Sequence, residues 1–412
     1  MSNPFTSAPS HSNIEVSVVM PCLNEERTIL ACIVKAQSSF RKMKISGEVV
    51  IADNGSTDRS VEIAEGAGAR VVFQPVRGYG AALLAGIDAA LGEIVVMGDA
   101  DDSYDWSEIE PMVRAVRERH SLVVGNRFQG GIRPGAMPFL HRYLGNPVLS
   151  FIGRLFFRSP IGDFHCGMRA FRKSDITQLQ LRTTGMEFAS EMIVKASLQK
   201  LSIGEVPVVL SPDGRDRPPH LRTWRDGWRH LRFLLLYSPR WLFLLPGAFL
   251  FAVGLLGMLV IGSNSLVIGR IGLDIHTLAY AGAFVVLGMQ MLLFAGFSKF
   301  IGQEGGWLPE NPRFSKLVSL ISLELGLILS LALFFGAVLL SVGALGIWSD
   351  ANFGGLDPRV TMRWVVPAVT MLALSGEILL ASFFLEVLRM RIQYSSSSAT
   401  VSTKAKQEVG QS

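Results

Sequence analysis

Short apolar runs separated by amphipathic stretches fill the first half of the chain, and long uncharged apolar stretches fill the second. Residues Glu15–Met20, Glu48–Ala52, Arg70–Phe73, Ile94–Met97 and Leu122–Gly125 are four to six residues long and rich in Val and Ile. Runs of that length bounded by polar turns predict buried strands. Helical patterns lie between them over 25–40, 78–91 and 106–120, with a further one over 187–201. The run Gly204–Leu210 predicts a last strand, placed at a sheet edge because Pro207 has no amide proton to give. Strands alternating with helices predict an α/β domain with a mainly parallel sheet over residues 14–220.

The second half reads differently. Residues 241–261 hold no charged side chain and would cover about 30 Å as a helix, the thickness of a bilayer core. Similar spans are expected at 278–298, 318–347 and 364–388, making a membrane domain of four helices over 241–391. Just before it, Arg222, Arg225, Arg229 and Arg232 recur on one helical face, and Trp224, Trp228, Leu231 and Leu235 on another. That predicts an interfacial helix over 221–240. The stretch 139–157, with Arg142, Arg154 and Arg158, is expected to graze the same surface. Residues 1–13 and 392–412 are polar and read as disordered. Lys299, Arg313, Lys316, Arg389, Arg391, Lys404 and Lys406 fall on the side of the basic 222–240 flank. The positive-inside rule then places the first domain and both termini in the cytoplasm. Gln290 and Glu377 fall at matching depths within two spans and are expected to pair.

Composition sharpens this picture. The 412 residues are 49% hydrophobic with a net charge of +5, and mean hydropathy is +0.35. Much of the basic charge lies beside apolar segments, which favours anionic headgroups and phosphates over nucleic acid. Three cysteines, Cys22, Cys32 and Cys166, make no disulfide framework and read as reduced thiols. No basic stretch followed by an apolar core marks a signal peptide at the N-terminus.

The chemistry gathers at Gly98-Asp99-Ala100-Asp101-Asp102, directly after the run Ile94-Val95-Val96-Met97. Alternation along an extended chain sends Asp99 and Asp101 to one side. Two such carboxylates suit a hard divalent cation shared with phosphate oxygens. An isolated acidic turn would be an ordinary solvated loop. Here Asn24-Glu25 and Asp53 also follow predicted strands, and in a parallel sheet those ends share one edge, where ligands bind.

Pro21-Cys22-Leu23-Asn24-Glu25, then Asp53-Asn54-Gly55-Ser56-Thr57-Asp58, then Asp99-Ala100-Asp101, resemble family 2 glycosyltransferases of GT-A fold. The segment Gly162-Asp163-Phe164-His165-Cys166-Gly167-Met168-Arg169-Ala170-Phe171-Arg172 is similar to the polyprenyl-phosphate branch, which includes dolichol-phosphate mannose synthase. The resemblance implies a GT-A-like, Rossmann-like domain, a UDP- or GDP-sugar donor, and an undecaprenyl or dolichyl phosphate acceptor. It implies metal-dependent, inverting hexose transfer with Mg²⁺ or Mn²⁺ held by Asp99 and Asp101. By the same resemblance Pro21, Asn24, Glu25, Asp53, Asp99 and Ala100 face the donor. Asp101, Asp163 and Arg127 are the expected catalytic residues, Asp163 orienting acceptor or sugar or acting as a base. Arg127, Arg142, Arg215, Arg217 and Arg169 are expected at the acceptor phosphate. A bacterial inner membrane is the expected location, and the resemblance allows a homo-oligomer.

Three positions depart from the family pattern. Ser103 stands where Gln is common, so Ser103, Asp102 or Asp105 is expected to complete the metal site. Val76-Arg77-Gly78-Tyr79-Gly80 stands for Asn-x-Gly-Lys-Gly, and Gly167-Met168-Arg169 for Gly-Phe-Arg. Two other readings compete. Tyr237-Ser238-Pro239-Arg240-Trp241 imitates the end of the Gln-x-x-Arg-Trp motif of processive polysaccharide synthases but lacks the Gln. A lipid-sugar flippase or scaffold would not need the intact Asp99 and Asp101.

Overall fold

The computed structural model describes residues 14–214 and 223–409. The chain divides into two units, 1–237 and 238–412. The strands of the first are β1 (Val16–Cys22), β2 (Gly47–Asp53), β3 (Arg70–Phe73), β4 (Ile94–Met97), β5 (Leu122–Asn126), β6 (Arg169–Arg172) and β7 (Ile203–Pro207). They form one seven-stranded sheet in the order β3-β2-β1-β4-β6-β5-β7. Every neighbouring pair is parallel except those of β6, which runs antiparallel to both β4 and β5. Strand β6 is not foreseen as a strand. Its four residues begin and end in Arg, so no apolar run marks it. Strand β7 is at the edge, as Pro207 requires, but is shorter than expected; Leu210 makes only isolated bridges with Tyr104 and Ile132.

The helices of this unit are α1 (Ile29–Met43), α2 (Ser60–Gly66), α3 (Tyr79–Ala89), α4 (Glu110–Glu118), α5 (Arg127–Gly130), α6 (Asn146–Phe157), α7 (Lys173–Gln178), α8 (Phe188–Leu198) and α9 (Thr223–Leu236). Consecutive strand residues such as Val18-Val19, Val50-Ile51 and Val95-Val96 are all fully buried, which requires cover on both sheet faces. The helix expected over 106–120 is broken. Trp106–Glu108 is a 3₁₀ turn, and α4 restarts with Pro111 in its first turn, where a missing amide proton costs nothing.

Two helices leave apolar side chains outside. Phe139, Tyr143, Leu144, Val148 and Phe151, along α6 and the turn before it, are exposed, as are Trp224 and Trp228 on α9. On α9 Arg225, Arg229 and Arg232 of one expected stripe and Trp224 and Trp228 of the other face outward; Arg222 lies outside the described residues. A third face seats the helix on the domain through Asp226, His230, Phe233 and Leu234.

The second unit contains α10 (Leu245–Ile261), a hairpin of β8 (Leu266–Ile268) and β9 (Ile271–Leu273), α11 (Ile275–Glu304), α12 (Pro312–Leu320), α13 (Leu323–Asp350) and α14 (Pro358–Val409). Four segments are long and apolar enough to cross a membrane: Arg240–Ile261, Ile275–Glu304, Leu323–Asp350 and Pro358–Met390. The span expected from 318 is interrupted, because Ser322 caps α13 by accepting from the Leu325 amide (3.2 Å). The tail expected to be disordered from 392 continues α14; no Gly or Pro follows residue 391 until Gly410.

Buried serines join α13 to α14: Ser330 Oγ donates to Ser375 O, and Ser375 Oγ to Ser330 O, each at 2.9 Å. At one end Arg363 donates to Asp274 (2.6 Å) and to the Ile261 carbonyl. At another, Arg389 donates to the carbonyls of Val318 and Ile321. The expected Gln290–Glu377 pair does not form through Glu377 Oε2, which is buried without a hydrogen-bond partner, and Gln290 is exposed.

Phe171 lies at the centre of β6 and is fully buried. Phe171→Ala is predicted to cost about 3–5 kcal/mol, read as a lower thermal midpoint of the purified protein. Leu91→Ala, at a site 62% exposed, should stay within about 0.5 kcal/mol of the parent.

Candidate active site

The site is assembled where β1, β2 and β4 stop. Cys22 at the end of β1 pairs with Asp53 at the end of β2, and Val19 pairs with Met97 at the end of β4. The three turns that follow therefore emerge side by side, and the polar residues expected there are brought together. Asp53 is buried and caps its own turn, accepting from the amides of Gly55 (3.1 Å) and Ser56 (3.2 Å). Asn24, at φ 59°, accepts from the Thr57 amide (2.7 Å), and its own amide donates to Ser56 Oγ (2.9 Å). Asn tolerates that left-handed backbone because its short side chain bonds locally. The Glu25 amide donates to Ser60 Oγ (2.7 Å), so Pro21, Asn24 and Glu25 are held against the Asp53 turn.

Asn54 is a member of this site that the sequence reading passed over. Its amide donates to the carbonyls of Gln74 (2.9 Å) and Val76 (2.8 Å), and its oxygen accepts from the Gly78 amide (2.7 Å). Both donors and the acceptor of the carboxamide are thus spent on the segment entering α3. Gly78 has φ 145°, and a Cβ there would sit 2.2 Å from the Thr184 carbonyl oxygen, so only glycine fits. Arg77 lies over Gly55, with a guanidinium nitrogen 3.6 Å from where a Cβ would be.

The acidic motif is ordered by its neighbours. Trp106, fully buried, donates from Nε1 to the Asp99 carbonyl (3.2 Å). The Tyr79 hydroxyl and the Asp99 carboxylate converge over Gly167; burial first, then that carboxylate, raise the phenol's pKa well above 10, so it stays protonated. Asp101 is buried and accepts from the amide (3.1 Å) and hydroxyl (2.6 Å) of Ser103. Asp102 turns away at φ 61° and pairs with Lys35 (2.6 Å). Asp105 caps the 3₁₀ turn by accepting from Ser107. Of the three residues expected to complete a metal site, Asp102 and Asp105 are committed elsewhere, and Ser103 bonds Asp101.

These residues fit a divalent cation. A Cβ on Gly167 would come within 2.9 Å of Asp99 Oδ2, so the close approach of this loop to the carboxylate suits glycine. No group of three or more His, Cys, Asp and Glu suited to a metal occurs among the described residues. Two carboxylates without a closed ligand set match Mg²⁺ or Mn²⁺ completed by phosphate oxygens.

The second half of the site is built on a buried ion pair. Arg127 Nε and Nη2 each lie 2.7 Å from Asp163, and the Arg127 amide also donates to it. Asp163 is fully buried and Arg127 is 8% exposed. An aspartate held bidentately by a guanidinium out of water is an anchor for that arginine, not a base that reaches solvent. Glu205 in turn accepts from the amides of Gly162 (2.7 Å) and Asp163 (3.0 Å), fixing the turn that carries the aspartate.

Arg169 is a correction. It is fully buried and donates to the carbonyls of Cys166, Ala189 and Phe164, at 3.0, 2.6 and 3.0 Å. Those bonds bind the loop after Asp163 to α8 and leave the side chain no access to an acceptor phosphate. Arg142 is half-buried and lies over the Tyr143 ring, 5.4 Å from its centroid. Arg215 and Arg217 lie outside the described residues. Ala100 is buried behind its two aspartates. Burial raises Cys22 and Cys166 to about 11 and Cys32 to about 12, so none is a ready nucleophile.

Two histidines meet behind this loop. His165 and His230 stand edge to face with ring centroids 4.5 Å apart, and His230 Nδ1 lies 2.9 Å from Ser190 Oγ. Burial holds His165 well below its ordinary value and His230 at about 4.

The chain matches the model of "Glycosyl transferase family 2" over residues 17–179 and that of "Glycosyltransferase family 2 C-terminal transmembrane region" over 296–389. It is 35% identical over 370 residues to the low-salt glycan biosynthesis hexosyltransferase Agl6 of Haloferax volcanii, covering 90% of this chain and 84% of the relative. It is 30% identical to a dolichyl-phosphate hexose transferase of the same organism, over 47% of this chain and 82% of the relative. A solved glucosyl-3-phosphoglycerate synthase of Mycobacterium tuberculosis, in complex with Mn²⁺, uridine diphosphate and glucosyl-3-phosphoglycerate, is 25% identical over 54% of this chain and 78% of that one. Its TM-score of 0.42 is too low to transfer a site.

Asp163→Ala strands the buried Arg127 charge and is predicted to destabilise the protein by about 3–5 kcal/mol in denaturation. A histidine with a depressed folded pKa binds its proton only on unfolding, so acid favours the unfolded state. Thermal stability should therefore fall as pH drops from about 6.5 toward 4. The fall should be shallower in His230→Phe, by up to about 1.4 kcal/mol per pH unit.

Proposed function

The chain belongs to glycosyltransferase family 2, and we propose that it transfers a hexose from a nucleotide sugar to polyprenyl phosphate at a membrane surface. One observation carries the reading. The strand-end site with paired Asp99 and Asp101 shares its chain with four helices long and apolar enough to span a bilayer. A soluble sugar acceptor would not need that second unit; a lipid phosphate does.

In this reading Asp53, Asn24 and the ends of β1 and β2 seat the nucleoside, and Asp99 and Asp101 face its diphosphate. Asp99 and Asp101 would hold Mg²⁺ or Mn²⁺, and the ion would supply positive charge against the leaving diphosphate. An acceptor phosphate oxygen attacks the anomeric carbon as the bond to the diphosphate breaks, with inversion. A phosphate monoester, with a second pKa of about 6, is already mostly ionised at neutral pH. No strong base is required, which agrees with Asp163 being committed to Arg127. Two of the five N–H groups of that guanidinium go to Asp163, and the rest remain to meet an anion. Arg142, Arg215 and Arg217 are the further candidates to hold the acceptor. The exposed apolar residues of α6, with Trp224 and Trp228 of α9, suit the headgroup layer in which that acceptor lies. The orientation that fits puts this unit and both termini in the cytoplasm.

Membranes containing the protein, supplied with labelled UDP- and GDP-hexoses, should move label into lipid only when undecaprenyl or dolichyl phosphate is added. Asp101→Asn should lower that transfer by at least about a hundredfold. Label appearing in polymer without lipid phosphate would instead favour a processive synthase.

A further inference from the structure

Resting on that reading of Asp99 and Asp101, we propose that Tyr79 is a positioning residue for the divalent-cation site. Its phenol donates to the Asp99 carboxylate and sets the direction in which that carboxylate meets the cation. Neither the acidic motif nor the pattern of strand ends points to this residue.

The geometry isolates the contact. A Cβ on Gly167 would lie 2.9 Å from Asp99 Oδ2 and 3.4 Å from the Tyr79 hydroxyl, so the two groups converge over the same glycine. An ionised carboxylate only accepts, so the phenol must be the donor. Both ends of the contact are held. Asp99 is fixed through its carbonyl by Trp106 (3.2 Å). Tyr79 opens α3 between Gly78, whose amide donates to Asn54 (2.7 Å), and Ala81, whose amide donates to the Thr184 carbonyl (3.1 Å). The segment carrying Thr184 is itself fixed by Glu191, which accepts from the amides of Arg182 and Thr183 (3.0 and 2.8 Å). A chain of polar contacts thus runs from α8 through the start of α3 to one carboxylate.

The chemistry explains why a phenol serves. A neutral donor orients Asp99 without itself cancelling the carboxylate's charge. An ammonium in the same place would orient the carboxylate but compete with the ion for it. Partners that orient a ligand from behind typically govern metal affinity by tenfold to a hundredfold.

The test is Mn²⁺ binding to the full-length purified protein, read as free Mn²⁺ by electron paramagnetic resonance with no nucleotide present. Tyr79→Phe keeps the ring and loses the donor. It should weaken Mn²⁺ binding by at least about tenfold and raise KM for the nucleotide sugar, while KM for the lipid phosphate stays unchanged. Only folded protein selected by size exclusion is titrated, so a loss of yield does not enter the result. Unchanged Mn²⁺ affinity in Tyr79→Phe, with affinity abolished in Asp101→Asn, overturns the role of Tyr79 alone. Unchanged affinity in both variants overturns the cation site itself.

Discussion

Three parallel strands that all end at one edge of the sheet are the constraint on which this molecule depends. The β1–β2 and β1–β4 registers put Asn24, Asp53 and Asp99 on neighbouring turns although they are far apart in sequence. Parallel strands carry no turn between them, so their ends are free to be functional, and here every one is capped by polar side chains. Asn54 satisfies the backbone leading into α3, Ser56 and Thr57 satisfy Asn24, and Ser103 satisfies Asp101. Few of the site's polar groups are left to find water. The turns are therefore braced by side-chain hydrogen bonds, which would suit charge stabilisation at the bond broken in the proposed transfer.

Antiparallel β6 extends the site in a second direction. It enters the sheet between β4 and β5; the loop before it carries Asp163 and Gly167, and Arg169 is the strand's first residue. The loop is held by two buried guanidinium groups used in opposite ways. Arg127 is paired to a carboxylate, and Arg169 has its donors taken by carbonyls. The first arrangement leaves a cation at the site's border, and the second removes one from solvent altogether. Burial of a charge is costly, so both are fixed features of the loop.

How much of this could be read beforehand follows from what each residue's neighbours in sequence reveal. Strands β1 to β5 are apolar runs long enough to stand out, and Pro207 marks the edge strand correctly. The shared edge follows from the alternation of strands and helices, so Asp53, Asp99 and Asp101 were visible. Strand β6 was not, because four residues flanked by arginines carry no periodic signal. The roles of Asp163 and Arg169 depend on burial, which a motif does not encode: two arginines in similar company proved to be a paired charge and a loop fastener. Tyr79 was visible only as a residue out of pattern, and its contact with Asp99 needs the fold. In the membrane unit, composition located the spans, but Gln290 and Glu377 at equal depth do not pair, since depth says nothing of the face a residue occupies.

The most direct test of the account is the structure of the product. Purified protein given the accepted nucleotide sugar and polyprenyl phosphate should yield a lipid that tandem mass spectrometry resolves as one hexose and one phosphate on the prenyl chain. A lipid carrying two phosphates, or a sugar polymer with no lipid attached, would contradict it.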